Sequence, residues 1–446
     1  MMTRRAILGA AGALLASTAS INVSSARGRP LYGSRIAVHV PWPLGRVDPH
    51  RVDDVAAACF GEALFDTLYA RDSAGALVPS LAEAEPEPRK GGLRVALRSG
   101  LRFASGAICD ARAAAVSIER ARASDAAAWL TDVAPARVDA GALLFAGHDP
   151  RRLVRALASP AVAIVPPHFA PERPDGTGPF RAEPKPWGLR LARNTLAAAG
   201  PSFLDVIDLQ RAADLATSLR AFESGVDDLG WLGSFLHEPR TAAQDFDGGA
   251  VAWAILRTGR DAGPLDVPGM AQTLADGVSY ASLEALVVGP AWTSGSARWT
   301  GPPCDLLVRE DAPWLGEVAR AMCAALSAPL HEVTPRAVPA ADFALRRSTR
   351  SFVLMLDVAR PIGPGDFGTL LGLAAADGEA TASAIARHPP LGGVTPRTAT
   401  RTMRIGVAAD VRLQGGRASD LVLPPSPWGR GIDWGGVSRV RGVDRN

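Results

Sequence analysis

Apolar and polar residues recur along the chain with two different spacings, which predict helices in some segments and strands in others. Apolar positions four residues apart at 60–68 predict one side of a helix, with Asp53 or Asp54 placed to cap it. Apolar and polar residues alternate at 93–98, which predicts a strand with one buried face, and Ser99-Gly100 follows as a turn. The early part of the chain therefore predicts helix, strand and turn in that order.

Further segments continue this mixture of helices and strands. Periodic apolar residues predict helices at 110–122 (with Asp110 as the cap), 149–157, 213–223, 272–286 and 312–326. Continuous apolar runs predict short buried strands at 161–165 and 352–356.

Length and composition indicate an ordinary globular protein with more than one core. The chain has 446 residues, of which 47% are hydrophobic and 21% charged, so two or more lobes are expected. The formal net charge is +3, and Arg4 and Arg5 supply two of these charges. Without them the charge is near +1, which argues against a partner held by electrostatics, such as nucleic acid or an anionic membrane.

The first 26 residues have the pattern of a signal peptide. A basic start at 1–5 precedes an apolar stretch at 6–16, and small residues at 17–19 or 24–26 offer alternative cleavage sites. Arg4-Arg5 also resembles a twin-arginine signal, so the export route stays open, and an uncleaved anchor is the alternative. We expect a soluble, exported protein.

Other chemical signals argue against catalysis and against a bound metal. The four cysteines (Cys59, Cys109, Cys304 and Cys323) lack CxxC spacing, and they are either disulfide partners or small buried residues. The seven histidines never fall at metal-ligand spacing, and no nucleophile–base motif is present. Residues 363–368 satisfy GxGxxG, but Pro364 lacks an N–H for a phosphate, so a turn is predicted. We expect no cofactor, no metal and no enzymatic activity.

The amino-acid sequence of residues 61–122 is the most informative feature of the chain. It reads GEALFDTLYARDSAGALVPSLAEAEPEP, then GLRVALRSGLRFASG, then AICDARAAAVSIERAR. The turn Gly176-Thr177-Gly178-Pro179-Phe180 and the pair Arg193-Asn194 follow in the same order as in one family. Together these segments resemble the family 5 extracellular solute-binding proteins, the periplasmic receptors of oligopeptide, dipeptide and nickel importers.

This resemblance implies an α/β fold of the bilobal periplasmic-binding-protein type, with an extra small lobe and mixed sheets flanked by helices. The main lobe would combine 27–55, 166–231 and 401–446. The small lobe would be inserted at 56–165, and the distal lobe would run over 232–400.

The same resemblance places candidate ligand-binding residues in the cleft between the lobes. Trp231 follows a segment similar to the family's hinge strand, and its indole offers a flat apolar face with one N–H donor. Trp42 and Trp253 are further candidates of the same kind, and core packing is the alternative for all three. Asp357 lies near the family's acidic ligand-binding segment, and Arg360 offers a bidentate donor for a carboxylate. Their alternatives are a strand-end role for Asp357 and a solvated surface role for Arg360.

The function implied is a monomeric periplasmic receptor of an ABC importer that binds a small peptide or peptide-like solute and presents it to permease subunits. The chain departs from the family in its shorter length and in carrying Gln272 where arginine is usual. An alternative therefore stays open: a receptor-like adaptor, sensor or scaffold without transport. A filled cleft around Trp231 and Asp357 would favour that alternative.

Overall fold

The central feature of the protein is a ten-stranded mixed sheet built from distant parts of the chain. The structure, a computed structural model, describes residues 30–231, 243–278, 297–387 and 396–440, and gives no side-chain detail at positions 215, 231 and 396. The strands are β1 (Pro30–Leu31), β2 (Arg35–Val40), β3 (Tyr69–Arg71), β4 (Leu77–Pro79), β5 (Glu87–Arg89), β6 (Gly92–Val95), β7 (Arg137–Asp139), β8 (Ala142–Phe145), β9 (Phe180–Lys185), β10 (Gly188–Arg193), β11 (Val206–Arg211), β12 (Leu229–Trp231), β13 (Gln244–Thr258), β14 (Cys304–Arg309), β15 (Val333–Val338), β16 (Leu354–Ala359), β17 (Ile405–Arg417), β18 (Leu421–Val422) and β19 (Ser438–Val440).

The large sheet has the order β15-β14-β16-β13-β17-β12-β2-β11-β10-β9. Its parallel pairs are β14 with β15, β14 with β16, β12 with β2, and β2 with β11, and its remaining pairs are antiparallel. The strands β13 and β17 are the longest, and three register shifts in their pairing bend them. A separate four-stranded sheet, β5-β6-β8-β7, lies within the predicted small lobe at 56–165. The lobe boundaries themselves stay a prediction.

The helices follow the local signals of the sequence closely. They are α1 (Val55–Leu64), α2 (Ala111–Arg122), α3 (Pro150–Leu157), α4 (Leu215–Glu223), α5 (Met270–Asp276), α6 (Pro313–Leu326), α7 (Ala340–Thr349), α8 (Gly365–Asp377), α9 (Glu379–Arg387) and α10 (Pro396–Thr400). The predicted caps are confirmed at α1 and α2, because Asp54 accepts from the Ala57 N–H and Asp110 from the Ala113 N–H. The predicted helix at 272–286 begins as α5, and its residues 279–286 lie outside the described part of the chain.

Two local predictions are corrected. The strand predicted at 161–165 is wrong: Pro160–Val162 forms a 3-10 turn, because Pro160 fixes its own φ and the Ser159 hydroxyl accepts from the Ala161 N–H. The turn predicted at 363–368 is confirmed for its first residues, but α8 begins at Gly365 and continues for 13 residues. The glycine-rich segment is therefore the entry to a helix.

The sheet separates the two larger of three hydrophobic cores among the described residues. Along β13, Ala252, Ala254 and Leu256 pack into the first core, while the alternating residues Trp253 and Ile255 pack into the second. The second core combines the predicted small lobe with residues of α8, α9 and β17. Because one strand contributes to both cores, the sheet couples the packing of the two regions.

The four cysteines are thiols, and Cys59, Cys109 and Cys323 are buried. Burial raises the pKa of the Cys109 thiol to about 12, so it acts as a small apolar residue. Of the two interpretations that the sequence left open, the structure shows the buried one. Among the described residues, no helix combines the length and the apolar character that crossing a bilayer requires.

Candidate functional site

A cavity of about 580 Å³ lies between α1 and the segments that follow β16 and β18. Its walls come from five distant parts of the chain. They are formed by α1 with the residues just after it, the 3-10 turn at Pro160, the loop at 199–203, the entry to α8 at 361–365, and the loop at 427–436. Concave cavities that collect residues from several distant segments are typical ligand sites.

The helix α1 forms one wall because its cap and its apolar face fix its position. Its buried face packs into the first core through Phe60 and Leu64, and the Trp434 indole donates to the Cys59 carbonyl at 2.6 Å. The residues Gly61 and Glu62 then face the cavity. A Cβ built on Gly61 meets no atom within 4 Å, so this side of α1 borders open space.

Acidic groups gather on this wall of the cavity. Both carboxylate oxygens of Glu62 accept from the Ser426 hydroxyl, at 3.0 and 2.9 Å. Burial raises the pKa of Glu62 from its ordinary value of 4.5 to about 8, against the opposing effect of the Ser426 hydrogen bond. Burial also raises the pKa values of Asp66 and Asp433, which line the same cavity. Burial at this wall therefore disfavours the charged form of all three carboxyl groups.

Two arginines stack on aromatic rings beside these carboxyl groups. The Arg71 guanidinium lies 5.3 Å from the centre of the Trp428 ring, and the Arg430 guanidinium lies 5.4 Å from that of Trp253. Burial lowers the pKa of Arg430, although Asp366 and Asp410 oppose that effect. Within the described chain, Arg71 Nε and Arg430 Nη1 are buried and have no hydrogen-bond acceptor. Both guanidinium groups line the cavity, and each has one buried donor that is unsatisfied among the described residues.

Of the five residues that the sequence singled out, Arg360 lines this cavity. Its Nε donates to the Arg51 carbonyl at 2.8 Å, and its Nη2 donates to the Pro49 carbonyl. Burial lowers its pKa, with Asp54 and Asp48 opposing the effect. Arg360 is 4% exposed. The surface alternative for Arg360 is therefore incorrect, and the side chain joins the segment before α1 to the end of β16.

Asp357 lies outside the cavity, in a buried group of charges. Its carboxylate is 3.0 Å from Arg257 Nε and 3.4 Å from Arg347 Nη1, and the residue is 2% exposed. Arg347 also pairs with Asp53, 294 residues earlier in the chain. The surroundings of Asp357 are therefore filled by protein, and its structural alternative is the one that the geometry favours.

The three candidate tryptophans occupy different positions. Trp42 is buried in the first core and does not line the cavity. Trp253 is buried in the second core, but it lies under Arg430, which does line the cavity. Trp231 ends β12, and its side chain lies outside the described part of the structure. Trp253 therefore supports Arg430, a residue of the cavity wall, without lining the cavity itself.

The sequence reasoning missed most of the cavity wall: Glu62, Asp66, Arg71, Trp428, Arg430 and Asp433. Glu62 stands on a helix whose neighbours are apolar, and Trp428-Gly429-Arg430 interrupts a loop with an aromatic and a charged residue. These were the available signals, but each is common in solvent-exposed segments. No three histidine, cysteine or acidic side chains are grouped as metal ligands in the part of the chain that the structure describes.

Comparison with known proteins identifies the fold. No protein-family profile and no curated protein matches the sequence. Among solved structures, AppA of Bacillus subtilis in complex with a nonapeptide has a TM-score of 0.67 and 12% identity, over 93% of this chain and 100% of AppA. NikA of Staphylococcus aureus in complex with Ni(L-His)2 has a TM-score of 0.64 and 13% identity, over 92% of this chain and 100% of NikA.

A third similar structure is the PBP AgaA of A. tumefaciens R10 in complex with agropinic acid. Its TM-score is 0.64 at 14% identity, over 93% of this chain and 100% of AgaA. The protein therefore has the bilobal α/β fold of the periplasmic binding proteins, which confirms the fold class expected from the sequence. At 11–14% identity the likeness is one of fold, and the ligand has to be argued from the cavity.

Proposed function

We propose that this protein is the solute-binding receptor of an ABC importer and that it takes a small peptide or peptide-like solute into the 580 Å³ cavity. The observation that carries the proposal is the wall of this cavity, which combines acidic, basic and aromatic side chains within one fold of the binding-protein type. AppA, with the same fold, holds a nonapeptide.

The chemistry of the cavity suits a zwitterion with an apolar body. A ligand ammonium group would donate charge-assisted hydrogen bonds to the carboxylates of Asp66 or Asp433, and its positive charge would favour their ionised forms. A ligand carboxylate would pair with the guanidinium groups of Arg71 and Arg430, which line the cavity. The rings of Phe65 and Phe203 add apolar wall for the remainder of the solute.

Ligand binding would favour a closed arrangement of the lobes, with β13 and β17 as the strands that bend between them. The permease would then recognise the closed form. On this proposal the protein acts in the periplasm after removal of residues 1–26, by the twin-arginine or the general export route.

Native mass spectrometry of the mature protein isolated from the periplasm tests this function. Bound masses that match short peptides would support a peptide receptor. One discrete non-peptide mass would retain the receptor function and replace the substrate class. A clean unliganded mass, together with no thermal shift in a peptide library, would overturn the proposal and favour the adaptor alternative.

A further inference from the structure

A second cavity, of about 300 Å³, is lined by a group of arginines and is separate from the solute cavity. Five guanidinium side chains border it, whereas the acidic residues among the described lining are Asp125 and Asp377. The arginines are Arg51, Arg257, Arg347, Arg350 and Arg404. Such a surplus of one charge in a partly enclosed site raises the local concentration of ions of the opposite sign.

The two acidic residues of this wall are already engaged by other groups. Both oxygens of Asp377 accept hydrogen bonds, from the Arg404 backbone N–H at 2.7 Å and from the Thr381 hydroxyl at 2.7 Å. Asp125 accepts from the Val52 N–H at 3.0 Å and lies 3.3 Å from Arg51 Nε. Both carboxylates also attract arginines of the distal segment, Asp125 acting on Arg347 and Asp377 on Arg257.

Apart from Asp125, which pairs with Arg51 in the cavity wall, the carboxylates that pair with these arginines among the described residues do not line the cavity. Asp53 and Asp357, the partners of Arg347, line a different and much narrower pocket of about 30 Å³ that includes Arg309. Asp266, the partner of Arg350 and Arg404, borders neither pocket. The arginines Arg257, Arg347, Arg350 and Arg404 therefore line the 300 Å³ cavity, whereas the carboxylates of their ion pairs do not.

Guanidinium donors are available on this side. The Nε of Arg404 makes no hydrogen bond among the described residues, although it lies 3.4 Å from the Asp266 carboxylate. Arg257 uses its Nε for Asp357 and its Nη1 for the Ala376 carbonyl, which leaves Nη2 for another acceptor. Arginine forks of this kind match the paired oxygens of a phosphate or carboxylate group.

We infer that this arginine-lined cavity is a binding site for a small multivalent oxyanion of the phosphate type. The bound anion would contact Arg51, which precedes α1, together with Arg257, Arg347 and Arg404 from the distal segments. It would thereby link the segment before α1 to the distal segments, and both of these regions also contribute residues to the solute cavity. The site is independent of the solute that the first cavity holds.

The probe is inorganic phosphate, titrated into the full-length mature protein by isothermal calorimetry, with sodium chloride at equal ionic strength as the reference. We expect one saturable phosphate site, and a rise in melting temperature that chloride does not reproduce. Arg404→Gln is expected to weaken phosphate binding about tenfold, because it removes one charge-assisted donor. Arg336→Gln is the matched control, since Arg336 is 58% exposed and pairs with Asp305 at a distant strand.

A second variant keeps the test decisive if arginine variants unfold. Ser348 lines the same cavity and is exposed, so Ser348→Glu places a carboxylate among the arginines. We expect it to abolish phosphate binding and to raise the melting temperature in phosphate-free buffer. Equal stabilisation by phosphate and chloride would overturn the inference. So would phosphate affinity in both Arg404→Gln and Ser348→Glu that equals that of the wild type.

Discussion

Asp357 is the residue where the sequence and the structure assign different roles, and Asp357→Asn distinguishes them. The substitution removes the charge that faces Arg257 Nε at 3.0 Å in a site that is 2% exposed. At an effective dielectric constant of about 20, the pair attraction is about 5 kcal/mol, and part of it offsets desolvation. Breaking one buried pair typically costs about 3–5 kcal/mol. Arg347 retains Asp53, so we expect a loss of about 3 kcal/mol, near the lower end.

The assay is urea denaturation of Asp357→Asn beside Asp305→Asn, followed by measurement of solute affinity for both. Asp305 pairs with Arg336 at 3.0 Å, but the two side chains are 40% and 58% exposed, so its loss should cost less than about 1 kcal/mol. Solute affinity should be unchanged in both variants. The reasoning is refuted if Asp357→Asn is as stable as Asp305→Asn, or if it loses solute binding at full stability.

Three further predictions follow from single positions. In the wild type, the raised pKa of Glu62 stabilises the fold fully below pH 4.5, and this stabilisation is lost as the pH rises towards 8. The stability of Glu62→Gln relative to the wild type should therefore rise by about 3–4 kcal/mol between pH 5 and pH 8. Parallel dependence of the two unfolding free energies on pH would contradict this. Asp110→Ala removes the 2.9 Å cap bond to the Ala113 N–H and should cost about 1 kcal/mol in thermal unfolding, and an unchanged melting temperature would be the contrary result. Gly230→Ala places a Cβ 2.5 Å from the Phe222 ring and should destabilise the fold by about 1–3 kcal/mol. The control Gly316→Ala, in α6, adds a Cβ that meets no atom within 4 Å and should stabilise the fold slightly. A lower melting temperature for Gly316→Ala than for Gly230→Ala would refute the packing argument.

The parts of the fold that the sequence predicted are those that depend on neighbouring residues. A cap such as Asp54 or Asp110 acts on a backbone N–H three residues away, so its evidence is present in one short segment. The 3-10 turn at Pro160 was missed because apolar residues at 161–165 suit a buried strand as well as a buried turn. The fold class was predicted from the sequence motifs of residues 61–122, and the structural comparison confirms it.

The candidate site depends on residues that are far apart in the chain. Glu62 meets Ser426 across 364 residues, and Arg347 meets Asp53 across 294 residues. No local pattern contains either pairing, so the sequence could not show that Asp357 is enclosed by arginines or that Arg360 is held by backbone carbonyls. Trp428 and Arg430 become candidate ligand-binding residues only because distant segments form a cavity around them.

The central claim is that the 580 Å³ cavity holds the solute, and Gly61 offers the most direct test. Its Cβ position borders open space on α1, so Gly61→Phe fills the cavity without backbone strain, while Gly61→Ala leaves most of it empty and favours the helix. Native mass spectrometry of the wild type and both variants, each isolated from the periplasm, compares the bound solute. We predict that the wild type and Gly61→Ala carry the solute and that a folded Gly61→Phe protein does not. An equally occupied Gly61→Phe protein would contradict the account.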